Sequence, residues 1–308
     1  MVHPDASTIQ PEEAEPSHPA CVLVFNSNDP SGAGGLSGDV TAIASVGVHA
    51  LPIMTGSYAR DTAEIFDHFP LDEEAVSEQA RVILEDVPVQ VIKVGFVGSP
   101  ENLSAVAGIA TDYADIPLVA YMPNLSWWNE VQIDLYLDAF RELVLPQTTV
   151  LVGNHSTLWR WLLPDWSSEK NPTARDIARA AHELGVPYTL VTGIPLPDQF
   201  IDNVLASPQS VVGSEKFERF EAVFSGAGDT LSGRSGCLAG QRHGSAEAFK
   251  EALSYLDRCL DSGFRPGMGN VLPDRLFWAQ SETDDDEAAH EGPDVLHGFE
   301  IPTHETKH

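Results

Sequence analysis

Lysine is scarce in this chain. Only five of 308 residues are lysine (Lys93, Lys170, Lys216, Lys250 and Lys307), and 17 basic residues face 46 acidic ones, for a formal net charge of −29. So little positive charge argues against nucleic acid as a partner. Cysteine is equally sparse. Cys21, Cys237 and Cys259 show no metal-type spacing and read as reduced core residues. The histidines show no such spacing either, so no metal ligands are assigned. No run of about 18 apolar residues occurs, which excludes a transmembrane helix and makes a membrane partner unexpected. The first 19 residues are acidic and proline-rich, without the basic and apolar regions of a signal peptide. They read as a disordered tail on a cytoplasmic protein. The acidity is consistent with a salty cytoplasm, where screening removes self-repulsion, and equally with an ordinary acidic soluble protein.

What is present is a normal share of apolar residues, 43%, in a pattern of short buried runs alternating with helical periods. Cys21-Val22-Leu23-Val24-Phe25 is a continuous apolar run before a glycine-rich loop, the signature of a strand buried in a parallel sheet. Residues 36–46 then carry Leu36, Val40, Ile43 and Val46 at helical spacing. Further strands are expected at 48–54, 89–94, 116–122, 149–152 and 187–191. Residues 55–62 read as a polar connection, 63–69 as a short edge strand, and 204–220 as a hairpin. The alternation predicts an α/β fold, a doubly wound and mostly parallel sheet with helices on both faces. One domain is expected over residues 21–280, with tails at 1–20 and 281–308. Nearly every strand ends in Gly, Asn or Thr, so one sheet edge is lined with small polar groups, where ligands bind in open α/β sheets.

The chain is organised around Phe224-Ser225-Gly226-Ala227-Gly228-Asp229-Thr230-Leu231. A β-prone stretch at 217–224 runs into two glycines and then a helical apolar pattern. A helix start offers unpaired N–H groups and partial positive charge, suited to phosphate. A carboxylate there can take a hydroxyl proton while the N–H groups hold charge on the transferred group. Asp229 is therefore a candidate base. The alternative is an ordinary N-cap on a glycine-rich turn. Asp39, near the start of the first helix, points either into the cleft or to solvent.

Two stretches resemble a known family. Ser27-Asn28-Asp29-Pro30-Ser31-Gly32-Ala33-Gly34-Gly35-Leu36-Ser37-Gly38-Asp39 resembles, without a gap, the Gly-Ser-Asp-Pro-Ser-Gly-Gly-Ala-Gly-Ile-Gln-Ala-Asp signature of the hydroxymethylpyrimidine/phosphomethylpyrimidine kinases, ribokinase-like proteins close to the pyridoxal kinases. Gly226-Ala227-Gly228-Asp229 resembles the anion hole and base of that superfamily. Lys93-Val94-Gly95-Phe96 resembles its Lys-Ile-Gly-Met strand end, and Asn154 matches the Asn of its Thr-Pro-Asn motif. The resemblance runs from about Cys21 to Trp278. It implies a ribokinase-like fold, a homodimer, and ATP- and Mg²⁺-dependent phosphorylation of an aminopyrimidine CH₂OH, or its phosphate, in thiamine synthesis. Asp229 would be the base and Gly226, Ala227 and Gly228 the anion hole. Asp29, Gly34, Asp39 and Arg60 would contact the substrate; Asn154, Thr192 and Gly193 would contact ATP.

The sequence departs from the family at several places. The anion hole of the family usually ends in Cys, where this chain has Asp229, the choice of pyridoxal kinases; a pyridoxal substrate is thus the alternative. A ligand-binding relative with weakened catalysis is a third reading. Arg60 stands where the family has Gln, either facing the pocket or pairing with Asp61 or Glu64. The metal-shell Asp of the family falls near Tyr121 and Met122, its Lys of Lys-Gly-Gly-His is replaced by Thr192-Gly193, and its Glu three residues after Asn is Thr157. Lys93 either closes its strand or touches ligand. Trp127 and Trp128 either pack or cover the substrate.

Overall fold

The computed structural model describes residues 19–239 and 246–279. Apart from Pro19 and Ala20, the two expected tails lie outside the described residues. The sheet and its helices lie within the compact unit that closes at Phe277.

Among the described residues nine strands form one sheet: β1 (Cys21–Asn28), β2 (His49–Arg60), β3 (Ile65–Pro70), β4 (Val91–Val94), β5 (Leu118–Met122), β6 (Val150–Asn154), β7 (Tyr188–Pro195), β8 (Phe200–Ala206) and β9 (Val211–Glu218). Their spatial order is β3-β2-β1-β4-β5-β6-β7-β8-β9. The six central strands pair in parallel, for example Phe25 with both Ile53 and Val94. β3 at one edge, and β8 and β9 at the other, are antiparallel. The doubly wound, mostly parallel sheet expected from the alternation is what forms.

Both faces of β1 are buried, as its unbroken apolar run requires. Leu23 and Phe25 face a core shared with helices α2 (Glu73–Asp86), α3 (Pro100–Asp112), α4 (Glu130–Ala139), α5 (His155–Leu162) and α6 (Ala174–Glu183). Val22 and Val24 face the other layer, formed by α1 (Gly35–Ala44), α7 (Ala227–Ala239) and α8 (Ala246–Asp261), with Ile43, Leu231 and Leu253. Burying a side chain such as Phe25 on either face stabilises the fold by about 1.5–3 kcal/mol.

Local chemistry sets where several helices begin. Asp72 caps α2 by accepting from Glu74 N, Ser99 caps α3 ahead of Pro100, and Thr173 with Asp176 forms a capping box on α6. α1 lacks such a cap: Gly34 precedes it and offers no side chain. Among the described residues no helix is long and apolar enough to cross a membrane.

Three stretches differ from expectation. Residues 55–60, read as a polar connection, continue β2, because they pair with β3 (Gly56 with Pro70, Tyr58 with His68) rather than alternating apolar and polar. The stretch at 217–224 is not one strand. β9 ends at Glu218, and Phe224 makes only an isolated bridge to Val271. α5 had no expectation attached to it. It is a short helix capped by Asn154.

Candidate active site

The parallel strands end along one edge, and the β1–α1 loop and the start of α7 meet there. Gly226 has a φ of +87°, and its Cα lies against the carbonyl of Ala33, so only glycine fits. Opposite it, a Cβ on Gly34 would come within 2.6 Å of Asp229 Oδ2. The two glycine-rich loops thus touch backbone to backbone.

Asp229 sits in the first turn of α7 with its side chain 16% exposed. Its Oδ2 accepts from Gly35 N at 2.9 Å, so the carboxylate of α7 supplies the cap that α1 lacks. Its Oδ1 accepts from Asn26 Nδ2 at 3.0 Å and from Lys93 Nζ at 3.2 Å. Behind it, Asp39 Oδ2 accepts from the same two nitrogens, at 2.7 Å from Asn26 and 2.6 Å from Lys93. Lys93 and Asp39 are both 0% exposed. Asp39 Oδ1 has no hydrogen-bond partner among the described residues. Burial raises the Asp39 carboxyl to about 7; Lys93 pulls it down and Asp229 pushes it up. Asn26 is held in turn, its Oδ1 accepting from Ser27 N and Phe96 N.

Above Asp229 opens a cavity of about 520 Å³. Asp29, Gly34, Arg60, Ser225, Gly226 and Asp229 line its polar side; Tyr58, Tyr121 and Trp127 line the aromatic side. Tyr58 stacks on Phe96 at 5.7 Å between centroids, and Trp127 stacks on Trp128 at 5.6 Å. Trp127 therefore both packs and covers the cavity. Burial raises the Tyr58 and Tyr121 phenols above their ordinary value, and Asp229 adds to this, so both remain neutral.

Asp29 is 2% exposed and organises its own loop. Its Oδ1 accepts from Ser31 N and Ser31 Oγ, and its Oδ2 from Gly34 N. Arg60 reaches that same oxygen at 3.2 Å and Ser225 Oγ at 3.4 Å, while its Nε donates to Asp61 O. Arg60 thus faces the cavity and pairs with Asp29, not with the carboxylates of Asp61 or Glu64.

Three expectations are corrected or located. Asp39 points neither to solvent nor into the cavity; it lies beneath Asp229, held by Lys93. Lys93 likewise does not line the cavity. Asn154, Thr192 and Gly193 come together at the ends of β6 and β7, where Asn154 pairs with Thr192, but they do not line this cavity. Tyr121 stands where the family has its metal-shell acid, as the sequence already shows, and its hydroxyl packs on Gly228 too closely to allow any side chain there. Among the described residues no group of three or more His, Cys, Asp or Glu side chains is placed to hold a metal ion.

Two supports had no sequence signal. Arg275, 6% exposed, donates from Nε to Thr230 Oγ1 at 2.9 Å, and from its two terminal nitrogens to the carbonyls of Gly32 (3.3 Å), Gly226 (3.4 Å) and Ala33. It staples the two loops together. His68 on β3 lies 2.7 Å from Ser27 Oγ through Nε2, and its Nδ1 has no partner among the described residues. Burial lowers it to about 4, so it supports the loop as a neutral ring. Neither residue belongs to a local motif; both act across long separations that only the folded chain reveals.

The family profile described as phosphomethylpyrimidine kinase matches residues 29–274. The chain is 24% identical over 269 residues to the hydroxymethylpyrimidine/phosphomethylpyrimidine kinase of Streptomyces coelicolor, covering 87% of this chain and 98% of that one. The enzyme of the same description from Mycobacterium leprae is 23% identical, over 84% and 95% of the two chains. Among solved structures, the pyridoxal kinase of Bacillus subtilis in complex with ADP superposes with a TM-score of 0.75 at 19% identity, covering 85% of this chain and 99% of that one. The phosphomethylpyrimidine kinase of Clostridium difficile gives 0.63 at 16% identity, over 77% and 98%.

Proposed function

The chain belongs to the phosphomethylpyrimidine kinase family, and from that premise we propose that it phosphorylates hydroxymethylpyrimidine, its phosphate, or both, with ATP, in thiamine biosynthesis in the cytoplasm. The observation that carries the reading is the placement of Asp229. Its carboxylate borders a cavity of substrate size, between two helix starts, held on both oxygens.

In this reading the acceptor ring lies between Tyr58, Tyr121 and Trp127, which exclude water. With the alcohol as acceptor, the hydroxyl O–H bond breaks and its proton passes to the Asp229 carboxylate. The freed oxygen bonds to the terminal phosphorus of ATP, and the bond to ADP breaks with its electron pair leaving on ADP. N–H groups of the first turn of α7, from Gly226, Ala227 and Gly228, have no acceptor within the helix and hold the charge on the group in flight. Asp29 and Gly34 shape the acceptor side, and Asn154, Thr192 and Gly193 offer the polar strand ends for the nucleotide.

Mg²⁺ neutralises the phosphates in phosphoryl transfer. Of the carboxylates that line the cavity, Asp229 is engaged by three donors and Asp29 by four, which leaves Glu64 alone, short of a ligand set for a metal ion. In this reading Mg²⁺ would be held mainly by the ATP phosphates and would supply charge neutralisation there. A homodimer completes the proposal. The edge strand β3 leaves Phe66 67% and Phe69 60% exposed and is the candidate contact; sedimentation tests it.

Asp229 in place of the usual Cys favours pyridoxal as a second candidate acceptor. ADP release measured with hydroxymethylpyrimidine, its phosphate and pyridoxal in parallel decides. The proposal expects turnover with a pyrimidine. Turnover with pyridoxal alone would replace the substrate, and binding of a pyrimidine without ADP release would replace the kinase with a ligand-binding relative.

A further inference from the structure

Tyr121 carries a hydroxyl for which the proposed reaction has no task so far. Alternation along β5 divides its side chains between the two layers. Leu118, Ala120 and Met122 face the core shared with α2 to α6, and Val119 and Tyr121 face the layer of α1, α7 and α8. As the last but one residue of its strand, Tyr121 reaches the ligand edge on the α7 side. Its ring lines the cavity, and its Oη rests against Gly228, the second residue of α7. That hydroxyl has no hydrogen-bond partner among the described residues. Nor is it one of the polar atoms sealed away from solvent.

Its surroundings fix what the phenol can do. Lys93 Nζ lies 5.7 Å from the ring centroid and is engaged by Asp39 and Asp229. Burial raises the phenol above its ordinary value, with Asp229 and Asp39 adding to this, so the proton stays on Oη. A neutral phenol can donate. Beside it, the Thr230 N–H closes the first bond of α7 on the Gly226 carbonyl. The amides ahead of Thr230, that of Gly228 among them, have no acceptor inside the helix. One more donor thus stands next to the backbone donors at the helix start. An oxygen carrying negative charge is what such a group of donors suits.

We infer that Tyr121 is a further catalytic residue, whose hydroxyl donates a hydrogen bond to an oxygen of the phosphoryl group in flight, on the reading of the chain as a kinase. The phosphoryl group passes from the ADP oxygen to the acceptor oxygen, and an alcohol acceptor gives its proton to Asp229. The phenolic proton stays on Tyr121, and no bond to Oη forms or breaks. Because the contact is with the transferred group, it serves an alcohol and a phosphate acceptor alike. The strand and Gly228 hold the hydroxyl in place before the reaction, so little reorganisation is needed. A side chain at position 228 would push it away.

Tyr121→Phe keeps the ring and removes Oη alone. Its kcat should fall by roughly 10²-fold, the low end for losing one oxyanion donor. The KM values for ATP and acceptor should stay within about twofold of the parent, since the contact is made only in the transition state. The factor should be the same for every acceptor that the parent turns over. A second readout needs no turnover. ADP with aluminium fluoride and Mg²⁺, a mimic of the group in flight, should bind the parent roughly 10–10²-fold more tightly than the variant, and ADP alone should bind both equally. Parental kcat and parental affinity for the mimic overturn the inference and leave the kinase reading standing. A raised acceptor KM at unchanged kcat overturns it too, because the hydroxyl then serves the bound acceptor. A thermal midpoint several degrees lower in the ligand-free variant assigns the hydroxyl to structure, with the same result. A parent that releases no ADP with hydroxymethylpyrimidine, its phosphate or pyridoxal rejects the kinase reading itself, and the inference with it.

Discussion

Gly35 N, the first amide of α1, donates to Asp229 Oδ2 across 194 residues of sequence, at 2.9 Å. The carboxylate read as the base is therefore also the cap of the helix that follows the substrate loop. Holding the base in one orientation and ordering that loop are a single interaction.

Asp229→Asn separates these roles. Asn keeps an oxygen for Gly35 and caps about as well as Asp, but cannot take a proton. Turnover should fall by roughly 10²–10⁴-fold, and the thermal midpoint only by the smaller cost of an amide NH2 set against Lys93 Nζ and Asn26 Nδ2. Near-normal turnover would reduce Asp229 to a cap.

Arg60 brings a permanent charge into the cavity, and with three donors engaged it retains two more N–H groups for a ligand. Arg60→Gln should narrow any preference for the phosphomethyl acceptor over the neutral alcohol. Competition binding with both acceptors checks this; unchanged relative affinities remove the idea.

Arg275→Met should loosen both glycine loops at once. It removes the donor of Thr230 Oγ1 and of the Gly32 and Ala33 carbonyls, while the Gly226 carbonyl keeps the Thr230 N–H, for a loss of about 2–4 kcal/mol. The thermal midpoint should drop by roughly 5–15 °C in a domain of this size. Arg275→Lys keeps the charge but not the planar fork and should fall between. A midpoint unchanged in the Met variant would mean that the staple is dispensable.

Stability should carry the mark of Asp39. Its carboxyl is raised from 3.8 unfolded to about 7 folded, so the folded state binds the extra proton between those values. The stability contributed is full below about pH 4 and is lost as pH rises through about 7. Urea unfolding of the parent minus that of Asp39→Asn should show this slope between pH 4 and 7; a flat difference would contradict it.

The charge of −29 should make stability respond to salt. Raising KCl from about 0.1 to 1 M shortens the screening length from ~10 to ~3 Å and should raise the thermal midpoint. An unresponsive midpoint would mean that the acidic residues are spaced widely enough not to repel.

The sheet, its parallel centre and the two glycine loops are legible in the sequence because each is a local pattern. An unbroken apolar run such as residues 21–25 demands burial on both faces, and consecutive glycines demand close backbone approach. The extension of β2 through Arg60 was not legible, since it depends on β3 for its pairing rather than on its own alternation. Asp39 was misplaced because a carboxylate in a helix gives no sign of an ammonium arriving from β4. Arg275 and His68 were silent because their partners lie far away along the chain, on Ala33 and Ser27.

The Arg275 staple has a consequence for how the chain matures. Its guanidinium grips the Ala33 carbonyl across 242 residues, so the first glycine loop, although made early, waits for almost the whole chain. During synthesis, which proceeds at about 5–20 residues per second, α1 emerges with neither its Asp229 cap nor its Arg275 clasp. The central strands can pair while this corner is still open. Competence for chemistry is then among the last properties the nascent chain acquires, and a chain cut short before residue 275 keeps most of its sheet but never closes its catalytic corner.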